Sequence, residues 1–247
     1  MTRINRSVRH RGPWSFLDRT AAYWKLWLAS HRPDFADLPG DIVRLYQLSL
    51  LVIRTQVDNG GAIIAANDSD IASAVRDTYS YMWPRDGSLV AHALDRSGYL
   101  WSPRVFYRFC RDVLSKEGYL LHKYNPDGTL ASSWHPWVRE GQKDLPIQED
   151  ETALVLWALW HHFEEWKDVE YIKPLYRSLI VRAADFLVAY RHADTGLPKT
   201  SYDLWEERRG VLAFTVSAVW AGLTAAANFA KAFGEMEAAE RYFKAAD

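Results

Sequence analysis

Apolar residues in this chain recur with a helical period of 3.6 from end to end, and no stretch sustains the two-residue alternation of a half-buried strand. That pattern predicts an all-α fold. The helical stretches are of two kinds. Residues 41–58 carry Leu45, Leu48, Leu50, Leu51, Val52 and Ile53, apolar on almost every side, and residues 148–166 are similar. Both read as helices buried all round. Residues 168–192 instead turn Ile172, Leu175, Leu179, Ala183 and Phe186 inward and Lys173, Arg177, Arg182 and Asp185 outward. Residues 102–114 divide likewise, with Phe106, Phe109 and Cys110 opposite Arg104, Arg108 and Arg111. Alternation of the two kinds predicts two concentric layers of antiparallel helices.

Proline and glycine punctuate this pattern. The stripe Trp14, Leu17, Ala21, Trp24 and Leu28 ends at Pro33. Asp58-Asn59-Gly60-Gly61 stops the second helix, Ile63-Ile64 suits a short extended piece, and Asn67-Asp68-Ser69-Asp70 suits a polar loop. Pro84 sits where the first turn of a helix would start, with Gly98 at its end. Residues 115–147 form a long connection whose aromatic content argues for order. Residues 213–233 form a long helix whose small residues, Ala221, Gly222, Ala225, Ala226 and Ala227, permit close packing. The expected organisation is a tail and linker helix over 1–37 and a helical domain over 38–247.

Charge and cysteine content narrow the function. Lys and Arg total 30 against 31 Asp and Glu, so the chain has no bulk field to hold nucleic acid or an anionic membrane. A lone Cys110 excludes an intrachain disulfide framework and a cysteine-rich metal site. No apolar run is expected to reach the ~18 residues of a membrane span, the longest strongly apolar stretch being Ala153 to Trp160. The N-terminal arginines, Arg3, Arg6, Arg9 and Arg11, have no apolar segment behind them, so a cytoplasmic protein is expected rather than a secreted one.

Three polar clusters lie in loops or at helix starts. Tyr79 through Gly87 contains Trp83, Arg85 and Asp86: a flat ring with charged hydrogen-bonding groups, which suits a sugar. The same residues equally suit a helix cap with a local ion pair. Gln148-Glu149-Asp150-Glu151-Thr152 opens a helix, where the dipole favours acids whatever the function; it also resembles the acidic motif of terpene cyclases. Asp203-Leu204-Trp205-Glu206-Glu207-Arg208 sets two carboxylates beside a tryptophan, as a glycosidase acid can be built, or as a surface charge cluster before a helix.

Together, Trp83-Pro84-Arg85-Asp86, Gln148 through Ala153, and Ser201 through Glu207 followed by Ala213-Phe214-Thr215 resemble glycoside hydrolase family 15, the family of glucoamylases, glucodextranases and some bacterial trehalases. The likeness spans roughly residues 40–247 and is greatest to the bacterial glucoamylase-type members. It implies an (α/α)6 barrel and inverting, exo-acting hydrolysis of α-glucosidic bonds at non-reducing ends, without metal or organic cofactor. Glu206 matches the general acid. Arg85 and Asp86 match residues that hold the terminal glucose. Leu204, Trp205 and Glu207 match the wall beside the cleavage point, and Gln148 and Trp83 match further subsites. Trp134 and Trp137 are added because they lie in the long aromatic loop.

Family barrels have six helical hairpins with the general base in the C-terminal half. About half that number is predicted here, so a partial barrel carrying the acid but not the base is expected, and the isolated chain is expected to be inactive. An α-glucan or disaccharide would be its substrate, and a C-terminal half-barrel chain the partner that completes it. Trehalose or an α-1,6-glucan as substrate, or a non-catalytic sugar-binding role, are the alternatives.

Overall fold

A computed structural model describes residues 8–31, 33–67 and 78–247. Arg3 and Arg6 of the N-terminal tail, and Asp68, Ser69 and Asp70 of the expected polar loop, lie outside the described residues. The chain divides into two compact units, Met1–Thr55 and Gln56–Asp247.

The first unit pairs helix α1 (Pro13–Ala29) with α2 (Gly40–Thr55). Pro13 opens α1 at a position where its missing N–H has no helical acceptor to lose. Sequence suggested that α2 is buried on all sides. Instead only Leu50 is buried, and Leu45, Leu48 and Val52 are exposed. A helix that is apolar all round needs neighbours all round, and within this unit α2 packs on α1 alone.

The second unit is built around two helices that are apolar on nearly every face, α5 (Glu149–Trp166) and α8 (Ala213–Ala232). Each packs more extensively on the other than on any one-sided helix, except that α9 (Met236–Ala246) also covers much of α8. The Cα atoms of Gly222 and Ala153 face each other at their crossing. A Cβ added to Gly222 would lie 2.6 Å from the Ala153 carbonyl oxygen, so the small residues do bring these backbones together. By length and composition α8 could cross a membrane, against the expectation that no run is long enough. Alanines carry that apolar character, and they are spent on helix contacts: Ala218, Ala225, Ala226, Ala227 and Ala230 are all buried.

Helices α3 (Pro84–Arg96) and α4 (Trp101–Val113) join this core, α3 against α5 and α4 against α3. The amphipathic stretch begins as α6 (Val169–Leu175), passes through a π-helical turn (Tyr176–Val181) and ends as α7 (Arg182–Ala189). Pro174 lies just before the wide turn and supplies no N–H to the helical ladder. Ile172, Leu175, Leu179, Ala183 and Phe186 are buried and Lys173 and Arg177 are exposed, as the pattern predicts.

Short extended pieces thread between the helices. Ile64 pairs with Met82, and Met82 with Tyr124, confirming an extended Ile63-Ile64. The long connection is ordered. The Thr152 hydroxyl accepts the Leu120 N–H at 2.9 Å, fastening the loop to α5. Gly118 has φ +97°, and a Cβ there would lie 2.2 Å from the Arg182 carbonyl oxygen. Two small hairpins complete the unit: β1 (Val138–Arg139) with β2 (Gln142–Lys143), and β3 (Ser201–Tyr202) with β4 (Arg209–Gly210).

Candidate active site

Two helix N-termini meet in the core. Trp83 is extended and caps α3, Pro84 fixes the first turn, and Arg85 follows inside it. An arginine at a helix N-terminus meets an unfavourable dipole. Here the acidic first turn of α5 compensates. Arg85 Nη1 donates to Gln148 Oε1 at 2.8 Å and Asp150 Oδ2 at 2.9 Å, and lies 2.7 Å from Glu151 Oε1. The Arg85 backbone N–H donates to Glu151 Oε2, so one carboxylate both pairs the guanidinium and caps α3. The Thr215 hydroxyl, from the start of α8, donates to Asp150 Oδ1 at 3.4 Å. Burial works against the Arg85 charge, but Glu151 and Asp150 outweigh it and hold the guanidinium pKa above its ordinary value. Burial also raises the proton affinity of Glu151, with Arg85 the main opposing influence. Asp86 is half exposed, its Oδ2 3.6 Å from Arg85 Nε.

Glu206 is placed by the turn between β3 and β4. Asp203 forms the neck of this turn. Its N–H donates to the Arg208 carbonyl at 2.8 Å, and its Oδ1 accepts the N–H groups of Glu207 and Arg208 at 2.9 and 3.2 Å. Glu206 then takes a left-handed backbone, φ 55°, which turns its side chain inward while its neighbours turn out. Its carboxyl is 4% exposed. Neither oxygen has a hydrogen-bond partner of good geometry among the described residues. His122 Nε2 stands 3.8 Å from Oε1 and His135 Nε2 3.7 Å from Oε2, while His135 Nε2 is 3.0 Å from the Glu206 carbonyl oxygen. Burial raises the Glu206 pKa, and Lys123, His135, Arg85 and Gln148 oppose the rise. Burial and the neighbouring Lys123 push the His122 pKa down to about 3, so that imidazole is neutral near pH 7 and does not pair with Glu206.

Gln148 links the two clusters. It accepts from Arg85 and lines, with Glu206, His122, His135, Ser201 and Tyr202, a narrow cleft of about 30 Å³. The His135 and Tyr202 rings stack at 3.6 Å in its wall. Asp144 and Arg209, 3.2 Å apart, line it as well. A buried carboxyl whose proton affinity is raised, at the edge of a polar cleft with a fixed cation and an amide behind it, has the chemistry to deliver a proton to an ether oxygen.

Comparison with known proteins fits this chemistry. The model of the family described as glycosyl hydrolases family 15 matches residues 44–247. The chain belongs to that family. An uncharacterized glycosyl hydrolase of Methanocaldococcus jannaschii is 29% identical over 198 residues, 79% of this chain and 28% of the relative. A glucoamylase of a Clostridium species is 26% identical over 209 residues, 82% of this chain and 26% of the relative. The family 15 chain thus spans little more than a quarter of these curated relatives. Among solved structures, a bacterial glucoamylase complexed with acarbose matches with TM-score 0.63 at 25% identity, over 82% of this chain and 27% of that one. The glucoamylase of Saccharomycopsis fibuligera, 18% identical, matches in fold with TM-score 0.65 over 87% of this chain and 49% of that one. The helices are therefore part of an (α/α)6 barrel.

Of the family 15 positions singled out from sequence, Arg85, Gln148 and Glu206 come together, with Asp86 beside Arg85. Trp83 and Trp134 approach each other, ring centroids 5.8 Å apart, with Tyr79 near both. Trp137 is half-buried next to the β1–β2 hairpin, where its carbonyl accepts the Asp144 N–H. Leu204 and Glu207 are exposed, and Trp205 is 80% exposed. Sequence reasoning missed Lys123 and His122 as parts of the site, and placed Asp203 in the third cluster without giving it a role. Asp203 carried a readable signal, an Asx residue at a tight turn. For Lys123 the only cue was a lysine within an aromatic-rich loop.

Proposed function

We propose that this family 15 chain supplies the acid side of an inverting, exo-acting α-glucosidase of the glucoamylase type. The observation that carries the reading is Glu206: a carboxyl turned inward by a left-handed residue and desolvated, its proton affinity raised by burial against the cationic groups around it. In this reading Glu206 protonates the departing glycosidic oxygen, while Arg85, Asp86 and Gln148 receive hydroxyls of the terminal glucose. The exposed ring of Trp134 gives the sugar an apolar face, with the buried Trp83 ring packed behind it. Inversion also needs a base carboxylate about 6.5–9.5 Å from the acid with a water between. The reading assigns that base to the part of the family barrel these 247 residues do not span. No metal or organic cofactor enters the scheme.

The test is hydrolysis of maltooligosaccharides by the completed barrel, with the anomer of released glucose followed by NMR. Glu206→Gln is expected to lower kcat about 10²–10⁴-fold, with little change in KM. Hydrolysis undiminished by this substitution would overturn the assignment. Release of glucose in the α form would reject inversion. Residues 1–247 alone should release negligible glucose. Trehalose or isomaltose cleaved in preference to maltose would select the trehalase or α-1,6-glucan alternative.

A further inference from the structure

The main chain at Glu206 is strained, and such a residue persists only where its surroundings over-determine it. The peptide group that follows it is gripped at both ends. Its N–H, that of Glu207, donates to Asp203 Oδ1 at 2.9 Å, a grip from within the turn. Its carbonyl oxygen, that of Glu206, is gripped from outside the turn, 3.0 Å from His135 Nε2. A carbonyl can only accept, so this contact assigns the proton to Nε2 and makes His135 the donor. Nε2 lies 3.7 Å from Glu206 Oε2, so the hydrogen bond of the ring goes to the acid's main chain and not to its carboxyl. His135 is itself fixed. Its N–H donates to the Ser133 hydroxyl at 3.1 Å, Pro136 restricts the backbone before it, and the ring lies 4° from parallel on Tyr202. Arg139 donates to the Tyr202 hydroxyl at 2.9 Å and to Asp144 Oδ2 at 2.8 Å, and Arg209 donates to Asp144 Oδ1 at 3.2 Å. Residues 135–144 thus hold the β3–β4 hairpin on both strands and at its turn. The strand contacts lie at partly exposed ion pairs, which contribute little. The His135 side chain, 25% exposed, touches the acid's own residue.

We propose that His135 is a positioning residue for Glu206: its Nε2–H holds the main-chain carbonyl of the acid and so fixes the left-handed turn that carries the carboxyl inward. This deepens the reading of Glu206 as the acid and rests on it. The tilt of the gripped peptide is set by ψ at Glu206 and φ at Glu207. With the N–H grip of Asp203 alone, the peptide can pivot about that bond. Residue 206 then relaxes toward the ordinary regions of backbone space, and its carboxyl swings with it. A proton donor displaced by about 1 Å loses about 10²-fold in rate. Arg85 and Gln148, which receive the sugar hydroxyls in that reading, belong to other elements and keep their own contacts. The proton-transfer step should therefore suffer while binding does not.

Two variants separate the hydrogen bond from the ring. His135→Phe keeps a flat ring on Tyr202 and has no donor. His135→Gln carries an amide N–H at a reach similar to Nε2 and has no ring. In the completed barrel, H135F should lower kcat on maltooligosaccharides about 10–100-fold, with KM unchanged within about twofold, and H135Q should recover most of that loss. A kcat in H135F within about twofold of wild type, or equal losses in both variants, overturns the proposal. A second measurement needs no hydrolysis. In residues 1–247, hydrogen exchange at the Glu207 and Arg208 N–H groups, which Asp203 accepts, should speed up in H135F and stay near wild type in H135Q. Unaltered exchange in H135F also overturns the proposal. Should H135F not fold, the wild-type chain decides: nitrogen NMR of the His135 ring must show a protonated Nε2, and a ring protonated at Nδ1 alone rejects the donor. The kcat of E206Q tests the acid reading separately. Undiminished hydrolysis there removes the acid, while exchange and tautomer still decide what His135 holds.

Discussion

Replacing Arg85 with methionine probes the junction on which the site is built. The substitution keeps most of the side-chain volume and removes the charge. It leaves the Asp150 and Glu151 side chains, 3% and 0% exposed, facing one another without the cation that joins them. Losing one member of a buried ion pair typically costs about 3–5 kcal/mol, because the remaining charge is stranded in a poor solvent. Gln148 Oε1 also loses its donor, adding about 1 kcal/mol or more. Against a total stability of about 5–15 kcal/mol that is a large fraction, readable in urea unfolding. The loss should depend on pH, and its sign is fixed. Without Arg85, the main influence opposing the rise, the raised folded-state pKa of Glu151 climbs further above its unfolded value of about 4. The unfolded chain is the same in both proteins, so the deficit of the variant grows only as pH rises above the wild-type folded value of Glu151, itself held above the ordinary carboxylate range, and levels off above the variant's higher value. Below the wild-type folded value Glu151 is protonated in both folded proteins, and the deficit is at its smallest. A loss below about 1 kcal/mol at pH 7, or a loss that shrinks as pH rises, would refute the view that Arg85 is held as the counter-charge of these two acids.

The helix crossing and the buried polar pair below α3 give two further tests. Gly222→Ala should lower stability by about 1–2 kcal/mol: overpacking costs about 1–3 kcal/mol, and better helix propensity returns up to about 1. Thermal unfolding no lower than wild type would mean that α5 and α8 do not meet at that spacing. Asp95→Ala should cost about 2–4 kcal/mol in urea unfolding, since it orphans His162 Nδ1 at 2.7 Å and Trp166 Nε1 at 3.0 Å. A neutral result would show that these two groups find other partners.

Much of the second unit was legible in sequence because its cues are local. Pro84 and Gly98 bound α3 as read, the all-round apolar pattern of 149–166 marks a central helix, and the small residues of α8 mark a close crossing. The all-round apolar rule failed for α2, where composition describes what a helix could bury but not whether a neighbour is there. The same limit made α8 hard to weigh: alanines suited to tight packing also satisfy a membrane criterion. Within the site, the motif residues Arg85, Gln148 and Glu206 converge because each follows a strong local stop or start. Lys123 could not be read, because a lysine in a loop is ordinarily a solvated surface group, and only the folded arrangement of Tyr81, Trp83 and Trp134 makes it an interior one. Trp205 shows the converse. Its neighbour Glu206 turns inward while the ring itself is 80% exposed among the described residues.

The left-handed backbone at Glu206 has a consequence for how such a protein can change. An L-residue with a full side chain gives up about 1–2 kcal/mol in that conformation, and a glycine would not. The carboxyl adds a second penalty by residing away from water. Position 206 therefore opposes the fold twice, once through its main chain and once through its acid. Selection for a sturdier molecule and selection for a reactive one would pull this single residue in opposite directions.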